Sequence, residues 1–284
     1  MEEEILRYFP RELGEEIRNT KQKDDLEEIR LRVNLPVLLR CTSQEKRLNY
    51  QMTSQKMQEI LERMCENSIY SYQEQICQGY VILPNGDRVG ITGNAVETKG
   101  EITHLSYISS MNIRIAREKK GWSKEILPYV VKAWENQIRN TLIVSPPGRG
   151  KTTLLRDLIR MLSNGVDDLG WKGANISVVD ERGEIAAMDH GIPKKDVGIR
   201  TDILDHVKKS VGMKLLIRSM GPQVIAADEI GSKEDAEAIL YAVNSGVKGI
   251  FTAHGDSIEE LKKNPELRKL LDQEVFETIL YIRI

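Results

Sequence analysis

Ser145-Pro146-Pro147-Gly148-Arg149-Gly150-Lys151-Thr152-Thr153 is the stretch on which the reading of this chain turns. It follows a short apolar run, residues 141–144, that reads as a strand. It leads into residues 152–162, where Leu154, Leu155, Leu158, Ile159 and Leu162 fall on one side of a helix. Strand, glycine-rich turn and helix together make the context of a phosphate-binding loop, because backbone N–H groups converge at a helix N-terminus whose partial positive charge favours an anion. Gly148 and Gly150 let the backbone curl close to phosphate oxygens, Lys151 reaches the β- and γ-phosphates, and the Thr152 hydroxyl ligates Mg²⁺. Ser145 stands where the motif has its first glycine, a departure that costs little where the backbone conformation is open to any residue. The whole run from Ser145 to Thr153 is therefore read as nucleotide-binding.

Downstream, strands alternate with helices. Residues 176–179, 224–227, 249–252 and 276–284 read as strands, and residues 203–219 and 234–244 as helices, a pattern that predicts a mainly parallel sheet covered by helices. In such a sheet the strand C-termini share one edge. Asp228 and Glu229 follow one strand, the cluster Asp180-Glu181-Arg182-Gly183-Glu184 follows another, and His254 follows a third. Asp228 is expected to hold Mg²⁺ through water, beside Thr152, and Glu229 to polarise the attacking water. His254 is poised to sense the γ-phosphate. His104, His190 and His206 lack any such context.

Upstream the style changes to mixed α and β. Residues 26–39 read as two strands joined by a turn, residues 53–66 as a helix capped by Thr53 or Ser54, and residues 68–77 as a second short helix. Asn85-Gly86 between residues 79–83 and 88–92 signals a tight hairpin. Residues 112–116 alternate as another strand, and residues 122–134 read as a helix. The expected organisation is an N-terminal α/β domain over residues 1–121, a connecting helix or linker over 122–138, and a P-loop domain over 139–284.

The four motifs in order (the loop, Val178-Val179-Asp180-Glu181-Arg182-Gly183-Glu184-Ile185, Ile225-Ala226-Ala227-Asp228-Glu229-Ile230-Gly231 and Thr252-Ala253-His254-Gly255) resemble the traffic ATPases of type II and type IV secretion systems. With Glu28-Ile29-Arg30-Leu31-Arg32 and Asn112-Ile113-Arg114-Ile115-Ala116-Arg117-Glu118 added, the chain is similar to the branch of that superfamily that serves spore formation. The resemblance implies a RecA-like ATPase domain, ATP with Mg²⁺ as ligands, and a homo-oligomeric ring, a hexamer. It also implies a cytoplasmic protein peripherally associated with a membrane channel complex on the mother-cell side. It assigns the water to Glu184, metal organisation to Glu229 and the histidine box to His254. The glycine before the relatives' second-box glutamate is Asp228 here, which leaves the base open between Glu184 and Glu229. Arg88 and Arg114, with Arg117 behind them, are the candidates for arginines that reach a nucleotide, and the relatives' arginine before the second box falls near Arg218. The chain ends inside an apolar strand, so a family tail is expected beyond it.

Composition removes other classes. Across 284 residues, 41 basic and 43 acidic side chains nearly cancel, and aromatics make up 5%. Neither bulk positive charge nor a base-stacking platform is available, so no stable nucleic-acid partner is expected. The acidic start and the odd cysteine count (Cys41, Cys65, Cys77) fit neither a secretory signal nor a disulfide framework, and no apolar run is long enough to span a bilayer. A nucleic-acid motor and a nucleotide-gated scaffold ring with little turnover are the competing functions for the same core.

Overall fold

The computed structural model describes residues 2–20, 26–41, 44–115 and 119–282. The chain divides into two compact units, Met1–Ala116 and Arg117–Ile284.

In the first unit, helices α1 (Glu2–Leu6) and α2 (Arg11–Arg18) precede strands β1 (Leu26–Arg32), β2 (Pro36–Cys41) and β3 (Glu45–Gln51). Helices α3 (Ser54–Met64) and α4 (Gln73–Cys77) follow, then β4 (Tyr80–Ile82), β5 (Arg88–Thr98) and β6 (Glu101–Arg114). The strands form one antiparallel sheet in the order β3-β2-β1-β6-β5-β4. Alternation sends Ile29, Leu31, Val37, Leu39, Val89, Ile91, Met111 and Ile113 into the core with Met57, Ile60, Leu61 and Met64 of α3. Thr53 caps α3, its hydroxyl accepting the Lys56 N–H at 3.2 Å. The same alternation turns Glu28, Arg30, Arg32, Arg40, Arg88 and Arg114 to the opposite face. Burial pushes the Cys65 thiol up to about 12, so it is an inert core side chain. Beyond Thr92 and Ser109, among the described residues, strands β5 and β6 pair only with each other, from Asn94 opposite Ser106 to Thr98 opposite Glu101. This arm leaves Val96, Ile102 and Tyr107 exposed.

The second unit opens with α5 (Leu127–Val130) and a ribbon of β7 (Val131–Lys132) and β8 (Gln137–Ile138). There follow β9 (Thr141–Ser145), α6 (Lys151–Asn164), β10 (Ile176–Asp180), the ribbon β11 (Met188–Asp189) and β12 (Ile192–Pro193), β13 (Thr201–Asp205) and α7 (Lys209–Met220). The unit finishes with β14 (Val224–Ala227), α8 (Lys233–Asn244), β15 (Lys248–His254), α9 (Ile258–Leu261), α10 (Pro265–Asp272) and β16 (Thr278–Tyr281). Six strands form one parallel sheet in the order β13-β10-β14-β15-β9-β16. One face packs on Leu155, Leu158 and Ile159 of α6, the other on α7, α8 and α10 through Met213, Leu216, Ile239 and Leu270. Covered on both faces, β9, β10 and β14 are buried along their whole length. The chain leaves β9 for β10, three places away, and returns through β14 and β15, so the loop after β9 lies beside the end of β15.

Four sequence expectations change. Residues 122–134 are not one helix: a 3₁₀ turn (Trp122–Glu125), α5, β7 and a second turn follow one another, with Gly121 and Asn136 in the left-handed region at either end. Residues 203–219 split into β13 and α7, because His206 takes a φ of 53° and breaks the run. Strand β3 and the β5–β6 arm lie where no strand was expected, since their exposed polar residues hide the alternation. The last strand is Thr278–Tyr281, shorter than 276–284; residues 283–284, like Ala116 and Arg117, lie outside the described residues. Among the described residues no helix is long and apolar enough to cross a membrane.

Candidate active site

The site builds from the end of β9. Gly148 and Gly150 take φ values of 73° and 81°, the region that favours glycine. Gly150 has a second constraint, because a Cβ there would lie 2.7 Å from Cη2 of Trp122. The N-cap of α6 is Gly150, which has no side chain to occupy the helix's first amides.

Lys151 is 7% exposed, and its Nζ donates to Ser145 O at 2.8 Å and Pro146 O at 3.1 Å. It also lies 2.8 Å from Nδ1 of His254. An ammonium only donates, so Nδ1 accepts and the ring proton sits on Nε2, which donates to Glu229 Oε1 at 2.8 Å. The other Glu229 oxygen pairs with Arg182. Burial pushes the Lys151 ammonium below its usual value, against the pull of Asp228 and Glu229.

Asp228 accepts from the hydroxyls of Thr152 and Thr252. Thr252 is fully buried, and its Oγ1 also accepts the Glu229 N–H at 2.8 Å, which fixes the left-handed turn at Glu229 (φ 55°). The acidic cluster after β10 divides its labour. Asp180, which the sequence places at the same sheet edge as Asp228 and Glu229, is 2% exposed and accepts the N–H groups of Glu184, Ile185 and Ala186, so its carboxylate closes a turn. Burial pushes its carboxyl up, with Asp228 adding to the rise and the three amides opposing it. Glu181 pairs with Lys209, Arg182 reaches Glu229, and half-buried Glu184 has its carbonyl held by Arg156.

The start of α6 and the ends of β14 and β15 thus bring together Lys151, Thr152, Asp228, Glu229 and His254, as the sequence placed them. Pro146, Pro147, Gly148 and Arg149 are exposed in the loop, and Thr153 is half-buried in the first turn of α6. In the first unit Arg88 and Arg114 stand directly opposite each other on β5 and β6; Arg114 is exposed, and the Arg88 guanidinium lies 4.2 Å from the Tyr80 ring centroid. Arg218 lies on α7 against Tyr241. Arg182 and Thr252 stand inside motifs without a role of their own being legible there, and Trp122 lies outside every motif. Only Thr252, two residues before His254 at the end of an apolar strand, carried a signal that could have found it.

Asp157, two turns into α6, anchors the segment that carries Trp122. Its carboxylate accepts Gly121 N–H at 3.0 Å, Ser123 N–H at 2.8 Å, Ser123 Oγ–H at 2.7 Å and Arg160 Nη2 at 2.7 Å. Burial raises this carboxyl, but the donors outweigh it and hold it below the usual range. A depressed carboxyl contributes stability above its unfolded value, and that contribution is lost as pH falls through the folded value. Asp157→Asn is therefore expected to lower stability by about 1.5–3 kcal/mol near neutrality. The gap to wild type should close below about pH 4 in denaturant melts.

Chemically, the site offers a helix-start amide cradle, one ammonium, and a hydroxyl–carboxylate pair of hard oxygens. Thr152 and Asp228 fit Mg²⁺, which takes one or two protein oxygens and fills its shell with water and phosphate oxygens. Among the described residues no group of three or more His, Cys, Asp or Glu could hold a metal without such help.

Two solved structures share this architecture. The Legionella pneumophila ATPase DotB matches 90% of this chain and 72% of its own, with a TM-score of 0.60 at 15% identity. The pilus retraction motor PilT, solved with bound ADP, matches 95% and 76%, also at 0.60 and 15% identity. These likenesses, with the strand order and the loop after β9, define the class: an α/β protein with a RecA-like P-loop ATPase fold. The chain belongs to the Sporulation stage III, protein AA family, whose model matches residues 1–283. Stage III sporulation protein AA of Bacillus subtilis (strain 168) is 42% identical over 256 residues, 90% of this chain and 82% of its own length.

Proposed function

We propose that the chain is an Mg²⁺-dependent ATP hydrolase that works as a motor during spore formation. The observation that carries this reading is the meeting of Lys151 and Thr152, which open α6 after the glycine loop, with Asp228 and His254 at the ends of β14 and β15. The names of the relatives support it: an ATPase, a pilus motor with ADP, and a stage III sporulation protein.

In this reading the loop amides and Lys151 hold the β- and γ-phosphates of ATP. A phosphate there competes with the Ser145 and Pro146 carbonyls and with His254 for the ammonium, so binding is felt at Glu229 through the imidazole. Thr152 and Asp228 would hold Mg²⁺, which supplies charge neutralisation on the phosphate oxygens. Glu229 has both oxygens engaged, by His254 and Arg182, so we assign the water to Glu184 and give Glu229 the task of keeping His254 and the metal side in order. Glu184 takes the proton of the attacking water as it approaches the γ-phosphorus in line, while the bond to the β,γ-bridging oxygen breaks and ADP leaves with phosphate as the second product. Arg88 and Arg114 remain candidate phosphate ligands through the resemblance alone.

The domain plan follows: an N-terminal α/β domain and a P-loop ATPase domain, assembled as a hexameric ring on the cytoplasmic, mother-cell face of a membrane channel complex. Purified protein is expected to release phosphate from ATP with Mg²⁺ and to stop with excess chelator. Release undiminished by chelation would overturn the metal assignment.

A further inference from the structure

We propose that Trp122 is a positioning residue for the phosphate loop, and that with Asp157 it ties the segment by which the chain enters its second unit to the shape of that loop. The proposal rests on the nucleotide-binding reading above and adds a residue that no motif contains.

Four observations carry it. First, the Trp122 ring lies against the backbone of Gly150: a Cβ there would meet Cη2 at 2.7 Å and Cζ3 at 3.0 Å. Gly150 is the residue at which the loop turns into α6, immediately before Lys151. Second, both neighbours of Trp122 are bonded to one carboxylate, Gly121 to Oδ1 and Ser123 to Oδ2 of Asp157. Third, Asp157 is 4% exposed and sits on α6 itself, so segment and loop share one rigid support. Fourth, Lys119 places its ammonium 5.0 Å from the indole centroid, within the range of a cation–π contact.

The consequence is mechanical. A loop that binds phosphate through its amides gains affinity when those amides are aimed in advance. Gly150, with no side chain and a φ of 81°, cannot hold that aim by itself, since glycine is the most permissive residue in the backbone. The indole supplies the missing wall. The first unit ends at Ala116, and the chain enters the second at Arg117, only a few residues before this wall. Any pull on the entering segment must either break the bonds to Asp157 or move the indole off Gly150. Ordinary packing is the competing explanation, because Trp122 also borders the core under α6. Packing alone predicts a loss of stability with unchanged affinity for nucleotide.

The test uses the full chain and Mg-ADP as the probe, in calorimetric titration and in tryptophan emission. Trp122→Ala is expected to weaken Mg-ADP binding about tenfold, with Trp122→Phe within about threefold of wild type. The other two tryptophans lie elsewhere: Trp134 is fully exposed, and Trp171 is buried with its N–H on Leu162 O, toward the far end of α6. Mg-ADP should therefore change the emission of wild type and of Trp134→Phe, and leave that of Trp122→Phe unchanged. If Trp122→Ala does not fold, the emission comparison decides alone. Unaltered affinity in a folded Trp122→Ala, or an emission change that survives in Trp122→Phe, overturns this proposal and leaves the ATPase reading standing. A wild-type chain that binds neither Mg-ADP nor Mg-ATP overturns both.

Discussion

Lys151→Ala is expected to slow ATP hydrolysis on the order of 10²–10³-fold, the loss typical of removing one preorganised donor to a developing negative charge. The ammonium is nearly buried and sits among three acceptors, Ser145 O, Pro146 O and His254 Nδ1. Its four-carbon stem gives it the reach to exchange those partners for phosphate oxygens without moving the loop. Arginine should not rescue the loss, because a planar fork cannot occupy a niche shaped for a compact charge. Single-turnover phosphate release from Mg-ATP is the measurement. A variant that hydrolyses as fast as wild type would sink the ATPase reading.

The second large effect separates two glutamates. Glu184→Gln is expected to keep Mg-ATP binding and to lose single-turnover hydrolysis by roughly 10²–10⁴-fold, the range of general-base catalysis. Glu229→Gln should behave differently. Its amide can accept only one of the two bonds now made by His254 and Arg182, so the imidazole is released and with it the partner of Lys151. Weaker Mg-ATP binding is expected together with slower turnover. Binding measured beside hydrolysis distinguishes the cases. If Glu229→Gln binds normally and fails only in the chemical step, the roles are exchanged; if both variants hydrolyse normally, neither carboxylate is the base.

The phosphate loop was legible because its requirements are local: two glycines with positive φ, a lysine and a threonine at fixed spacing between a strand and a helix. Asp228, Glu229 and His254 were legible for the related reason that a parallel sheet gathers strand ends. What failed was non-local. Nothing near Arg182 announces that it pairs with Glu229, 47 residues on. Residues 122–134 have an apolar pattern that suits a helix, yet Asp157, 34 residues from Ser123, bends their start into a tight turn. Strand β13 disappeared into the helix after it because residues 205–208 hold no glycine or proline, and His206 supplies the turn from the left-handed region itself. The role of Asp180 was also invisible, because only its burial and the N–H groups of Glu184, Ile185 and Ala186 make it a turn-closing carboxylate.

The arm formed by β5 and β6 has a consequence for how this chain comes apart. A two-stranded ribbon is marginal in water without a third strand or a covering helix; among the described residues Asn94 to Ser106 pair with no third strand, and the arm is anchored at its base by Leu105, packed on the core, and by His104, 3.4 Å from Gln73 of α4. Its backbone bonds are exposed, and Val96 and Ile102 contribute no core. Such a segment opens at a small free-energy cost while the rest of its unit stays closed. Amide exchange from Val96 to Thr103, outward of these anchors, is therefore expected to run faster than in the sheet from which the arm grows, and to do so below the melting of its unit.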